Sequence, residues 1–165
     1  MKLLDNFIKN SALFVPLFLF GISSASLSAA YIAEYGFGLL PCILCLYQRV
    51  PFAVIIVLSI LVIPFRFSKK ALRALLILSS IAFFVGGSIA IFQVGVEQGY
   101  WSGTEDCGDN IVAKTTEELL EALKKAPTKR CDEPEFWFLG ITMAGWNILY
   151  SYFLSIFSLF LFRRI

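Results

Sequence analysis

Histidine is absent from this chain of 165 residues, and charge is scarce. Charged residues make up 16% of the sequence, where a soluble domain of this size carries roughly 25%. The apolar excess, 58% of residues, is more than one small core can hide. Lipid removes that difficulty as a solvent. Alternation of apolar and polar residues is also missing from the long apolar runs, which excludes barrel strands and leaves helices. Acidic side chains are missing from the interiors of those runs. That counts against a transporter, because buried ionisable groups mark ion pathways.

What is there is four runs near the roughly 20-residue length that crosses a bilayer. They predict an all-α integral membrane protein, a four-transmembrane-helix bundle forming a single membrane domain over residues 1–165. The spans are placed at about residues 11–33, 46–65, 73–96 and 141–162, leaving loops at 34–45 and 97–140. The first run has small residues at Ser26, Ser28 and Ala30, as a signal peptide has, but it continues past the usual apolar length of one. Lys2 and Lys9 precede span one, Arg66, Lys69, Lys70 and Arg73 lie between spans two and three, and Arg163 and Arg164 follow span four. The positive-inside rule makes that side cytoplasmic and both termini with it. All of the twelve acids except Asp5 lie in or beside the two opposite loops. The net charge of +2 is the sum of a basic inner face and an acidic outer one, and implies no nucleic-acid partner.

The four cysteines all fall in the outer loops: Cys42 and Cys45 in the short one, Cys107 and Cys131 in the long one. An even count on an oxidising side suggests two disulfides, and four cysteines allow three connectivities. A zinc site is disfavoured, since the second pair is widely separated and no histidine can complete it. Two inert structural bridges are the plain alternative. The C-x-x-C favours chemistry, because a helix N-terminus or a cation beside such a pair stabilises a thiolate. Span two is expected to begin near Cys45, offering free N–H groups and the positive end of its dipole. Arg49 lies one helical turn after Cys45 and shares its face. Its alternative role is an interfacial arginine on lipid phosphate. Pro51 implies either that regular helix starts there or that the helix entry is kinked, leaving spare polar backbone around Tyr47, Gln48 and Arg49.

In the long loop, residues Thr115 to Ala126 read as a short amphipathic helix. Thr115 and Glu118 form a capping box, Glu121 and Lys125 pair, and Pro127 stops it. It suits either the membrane surface or the bundle. The polar, turn-rich surroundings of Cys107 and Cys131 predict exposed or mobile sulfurs. Tyr100-Trp101 and Phe136-Trp137-Phe138 read as an interfacial aromatic belt.

The run Pro41-Cys42-Ile43-Leu44-Cys45-Leu46-Tyr47-Gln48-Arg49 resembles the signature of the disulfide bond formation protein B (DsbB) family. So do the four spans, the second cysteine pair, Gly95-Val96-Glu97 and Phe138-Leu139-Gly140, and the resemblance covers essentially the whole chain. It implies a quinone-dependent thiol–disulfide oxidoreductase of the bacterial inner membrane, with its cysteines facing the periplasm. Cys107 and Cys131 would form the bridge that oxidises a periplasmic thioredoxin-fold partner, DsbA-like, with Cys107 captured in the mixed disulfide. Cys42 and Cys45 would re-oxidise that pair, Cys45 next to the quinone and Arg49 supporting it. The cofactor would be ubiquinone or menaquinone, with no metal. Some family members carry a histidine near the outer end of span three, where this chain has Gln93, which can donate a hydrogen bond but not shuttle a proton. Vitamin K epoxide reductase-like enzymes share four spans and a C-x-x-C but usually place it late in the chain.

Overall fold

The computed structural model describes residues 2–65, 68–104, 107, 130–134 and 136–165, with side chains described from residue 13. Four long helices carry the fold. Helix α1 (Lys2–Tyr31) runs into a π-helical turn, Ile32–Gly36. Helix α2 (Ile43–Val62) closes with a short 3-10 turn, Ile63–Phe65. Helix α3 spans Lys69–Glu97. A two-residue hairpin, β1 (Trp137–Phe138) and β2 (Ile141–Thr142), leads into helix α4 (Met143–Arg164). The segment read as a loop helix, Thr115 to Ala126, lies outside the described residues.

All four helices are long and apolar enough to cross a membrane. In none of them is more than 39% of the most apolar window buried inside the protein. The remaining apolar surface faces outward, which only lipid tolerates, and the protein is a multi-pass membrane protein.

The helix bounds depart from the sequence-based spans where caps decide them. Cys42 is the N-cap of α2, so that helix starts before residue 46. Ser68 caps α3 by accepting from the Ala71 N–H at 3.4 Å, which brings Lys69, Lys70 and Arg73 into its first turns. Thr142 caps α4 by accepting from the Gly145 N–H at 3.2 Å. Ile141 therefore belongs to the hairpin rather than to span four. The hairpin turns through Leu139 (φ 53°) and Gly140 (φ 77°). Two consecutive positive φ angles match the twist of a tight antiparallel turn, and Gly140 takes its angle without strain. Span one reaches Gly36 because the π turn continues past Tyr31.

Apolar side chains gain little by leaving lipid for one another, so close approach and polar contacts hold such a bundle. The core cluster includes Leu19 of α1, Phe52 and Ile55 of α2, Leu76 and Phe83 of α3, and Leu154 of α4. Small residues let the backbones close in. A Cβ on Gly86 would lie 3.3 Å from the Pro51 ring, and one on Gly87 3.0 Å from Tyr152. Pro51 thus sits inside a continuous α2, its ring against α3, so the helix already runs at Tyr47. Ser80 and Ser155 donate to each other's carbonyls at 3.0 and 2.9 Å, tying α3 to α4. Each such bond contributes about 0.6 kcal/mol on average.

Candidate functional site

The site grows from the N-terminus of α2. Pro41 precedes the helix, and Cys42 follows in extended form at φ −73°, ψ 169° as the N-cap. Its sulfur takes the place of a capping oxygen and accepts from the Cys45 N–H at 3.4 Å. The C-x-x-C spacing is therefore the spacing of an N-cap and the third helical residue, which face one another. The two sulfurs stand 2.9 Å apart, unbonded. Cys42 has its thiol pKa raised above the usual range, first by its hydrogen bond to the Cys45 sulfur and then by burial.

Cys107 and Cys131 are joined in a disulfide, with their Cα atoms 5.2 Å apart. The sequence-based expectation of exposed sulfurs is overturned here. Cys107 is 0% and Cys131 2% exposed, packed with Cys42, Leu44 and Val96 in one cluster. A disulfide is apolar, and the polar neighbours satisfy themselves elsewhere. Arg130 holds Asp132 through two bonds of 2.9 and 2.7 Å, so their charges stay on the surface while the sulfurs turn inward. Cys107 is anchored locally by its N–H to the Thr104 carbonyl at 2.8 Å.

The four cysteines thus form one group. A cavity of about 480 Å³ is lined by Cys42, Cys45 and Cys131 together. Ala29 and Ala30 of α1 and Ala33 of the π turn form part of an apolar wall, while Gln48, Arg49, Gln93, Glu97 and Asn147 bring polar groups to it. Among the described residues, no group of three or more His, Cys, Asp or Glu is placed to hold a metal ion.

Arg49 lies on the cavity wall but also has a protein partner. It donates to Glu34 at 2.5 Å, both side chains being largely buried, and its guanidinium stacks 4.9 Å over the Tyr31 ring. Sequence reasoning placed Glu34 in the short loop. The π turn instead keeps it on the end of α1, facing α2. A π turn commonly marks a functional position in a helix.

Gln93 is buried and its Nε2 donates to Cys45 Sγ at 3.3 Å and to Glu97 Oε1 at 3.1 Å. Gln48 Nε2 donates to Gln93 Oε1 at 2.6 Å, and Asn147 Nδ2 to Gln48 Oε1 at 2.6 Å. Gln48, Glu97 and Asn147 were missed by looking for ionisable residues deep inside the spans. A sharper signal was available, since uncharged amides within apolar runs are costly in lipid unless they pair.

The residues read as an aromatic belt are exposed, and Trp101 is also fastened to α3. The Trp101 ring stacks on Phe92 at 5.9 Å, and its Nε1 donates to the Phe92 carbonyl at 2.9 Å. It fits over Gly95, where any Cβ would collide with the indole. Trp146 Nε1 donates to the Phe138 carbonyl at 3.0 Å, fastening the hairpin to α4. Tyr100, Trp101, Phe136, Trp137 and Phe138 are all exposed.

The model of the family "Disulfide bond formation protein DsbB" matches residues 12–161. Disulfide bond formation protein B of Aromatoleum aromaticum is 28% identical over 153 residues, covering 88% of this chain and 89% of that protein. An uncharacterized protein of Rickettsia prowazekii is 30% identical over 156 residues, covering 92% of this chain and 89% of that protein. No solved structure matches the chain. With its match running through all four helices, this chain belongs to the disulfide bond formation protein DsbB family, membrane thiol–disulfide oxidoreductases that serve disulfide formation.

Proposed function

We propose that this protein re-oxidises a periplasmic DsbA-type dithiol oxidase and passes the electrons to a membrane quinone, ubiquinone or menaquinone. The observation that carries the reading is the single cavity lined by Cys42, Cys45 and Cys131. It places a loop disulfide and a helix-capping dithiol against the same space. The basic inner loops argue for a bacterial inner membrane with cytoplasmic termini and periplasmic cysteines.

The cavity fits a quinone head. Its volume lies within the usual range for small-molecule sites, roughly 300–1,000 Å³. Its wall is mostly apolar, and N–H donors suited to carbonyl oxygens gather beside Cys45. Gln48 and Asn147 each use one amide hydrogen within the protein and keep a second for an occupant. Arg49 has five N–H donors and retains several after bonding Glu34. When bound, the quinone supplies a two-electron, two-proton acceptor confined to the bilayer.

The protein's own steps are thiol–disulfide exchanges, each through a mixed disulfide. Once docking uncovers the buried Cys107–Cys131 bridge, a partner thiolate attacks it at Cys107. Cys131 leaves as a thiolate, and the second partner thiol then displaces Cys107 to complete the partner's disulfide. The reduced loop pair next reduces a Cys42–Cys45 disulfide, with Cys131 and Cys42 packed in the same cluster. Two electrons and two protons thereby reach Cys42 and Cys45, whose pair gives them up again on re-oxidation. Cys45, which accepts from Gln93 Nε2, would be the thiol beside the acceptor, and Arg49 would help to hold it.

The test is anaerobic mixing of the purified protein with a reduced DsbA-type protein and ubiquinone. Quinol should form in a one-to-one ratio with partner disulfide. Partner oxidation without quinol, or no reaction with either quinone, would overturn the proposal.

A further inference from the structure

Three helices contribute to one polar chain that ends on Cys45. Ser151 Oγ donates to Asn147 Oδ1 at 2.9 Å. Asn147 then donates to Gln48, Gln48 to Gln93, and Gln93 to both Cys45 Sγ and Glu97 Oε1. Each carboxamide has a donor end and an acceptor end, so a run of three has just two self-consistent directions. In the observed direction every link donates toward Cys45. In the reverse one, Gln93 would turn its carbonyl oxygen to both the sulfur and the Glu97 carboxyl.

The ends select the direction. Glu97 Oε1 accepts from Gln93 Nε2 at 3.1 Å and Cys45 Sγ from the same nitrogen at 3.3 Å, so Gln93 shows its N–H to that end. Gln93 then has its oxygen toward Gln48, which must donate, and the requirement passes to Asn147 and the Ser151 hydroxyl. Gln93 Oε1 is farther from the sulfur, 3.7 Å, within reach of the S–H when Cys45 is protonated. The same amide therefore serves the thiol through its oxygen and the thiolate through its N–H. Aligned hydrogen bonds polarise one another, which strengthens the last donor in the series.

We propose that Asn147 is a positioning residue for Cys45: from α4, through Gln48, it fixes Gln93 with its N–H toward the sulfur and so favours the reactive thiolate. Asn147 has no hydrogen bond to either cysteine and acts two links away. Without it, the Gln48 oxygen loses its donor, and Gln48 holds the Gln93 oxygen away from the sulfur less firmly. The proposal rests on Cys45 being the reactive thiol of the proposed function. Its test is run without quinone or partner, so the two readings fail separately.

The measurement is the initial alkylation rate of Cys45 and Cys42 by iodoacetamide, followed by mass spectrometry on reduced, quinone-free full-length protein at one fixed pH. Asn147→Leu should slow Cys45 about fivefold, the weight of one hydrogen bond, with Cys42 changed less than about twofold. Asn147→Gln, which keeps the carboxamide, should recover at least half of the parent rate. Ser151→Ala, at the far end of the chain, should slow Cys45 about twofold and stands in if Asn147→Leu does not insert. A Cys45 rate unchanged in both Asn147→Leu and Ser151→Ala overturns the proposal. So does equal slowing of Cys42 and Cys45, which would mean general loosening of the fold.

Discussion

The two cysteine pairs of this protein are built by different means. Cys42 and Cys45 are set by the backbone of one helix end, as cap and third residue of α2. Their spacing would bring the sulfurs together at any similar helix start. Cys107 and Cys131 stand 24 residues apart in sequence, and no local rule brings them together. They meet by packing on the first pair, with Leu44 and Val96 closing over them. A locally built pair can keep its place while its bonding changes. A pair placed by packing has part of its surroundings from the other pair.

The strongest way to break the comparison is Cys45→Ser. Quinone reduction driven by a small dithiol should fall on the order of a thousandfold, because the acceptor-side pair is lost as a unit. The protein should still insert. Retained quinol formation, followed by absorbance, would show that the two pairs are not ordered as proposed. Cys131→Ser separates the pairs from the other side. Oxidation of a DsbA-type protein should drop about a hundredfold, while reduction of quinone by a small dithiol stays within about tenfold of the parent. Equal loss of both activities would mean that the loop pair only supports the fold.

A third prediction concerns pH. The raised pKa of Cys42 means that the folded, reduced protein holds a proton there which the unfolded chain gives up near the ordinary thiol value of 9.0. Stability from that proton is complete below this value and is lost as pH rises above it. The reduced protein should therefore unfold at a lower temperature at pH 10 than at pH 8, by more than its Cys42→Ala variant does. Alkylation of Cys42 at pH 8 should be about tenfold slower than that of an unfolded thiol. Equal rates would remove the distinction between a held and a free cysteine.

The smallest expected effects concern Arg49. Arg49→Ala should raise the apparent quinone KM about tenfold, and Glu34→Gln about threefold, because the neutral amide still aims the guanidinium. An unchanged KM in both variants would return Arg49 to a lipid-facing role.

Much of this was legible in the chain before any fold was known. Lipid demands long apolar helices, so length and hydropathy alone placed four spans within a few residues, and caps explain the residual differences at Ile43, Lys69 and Met143. The C-x-x-C at a helix start was equally readable, since cap geometry depends on neighbours in sequence. The burial of Cys107 and Cys131 was not. Their polar flanks point outward, and the surface that covers the sulfurs comes from other helices. The Arg49–Glu34 pair and the amide chain were hidden for the same reason. Asn147 meets Gln48 across 99 positions of sequence. Local propensity acts over a few residues, whereas hydrogen bonds between amides in lipid are chosen by which helix faces pack together. Sequence therefore determined the spans and the helix-capping dithiol; the tertiary structure alone decided what those sulfurs touch.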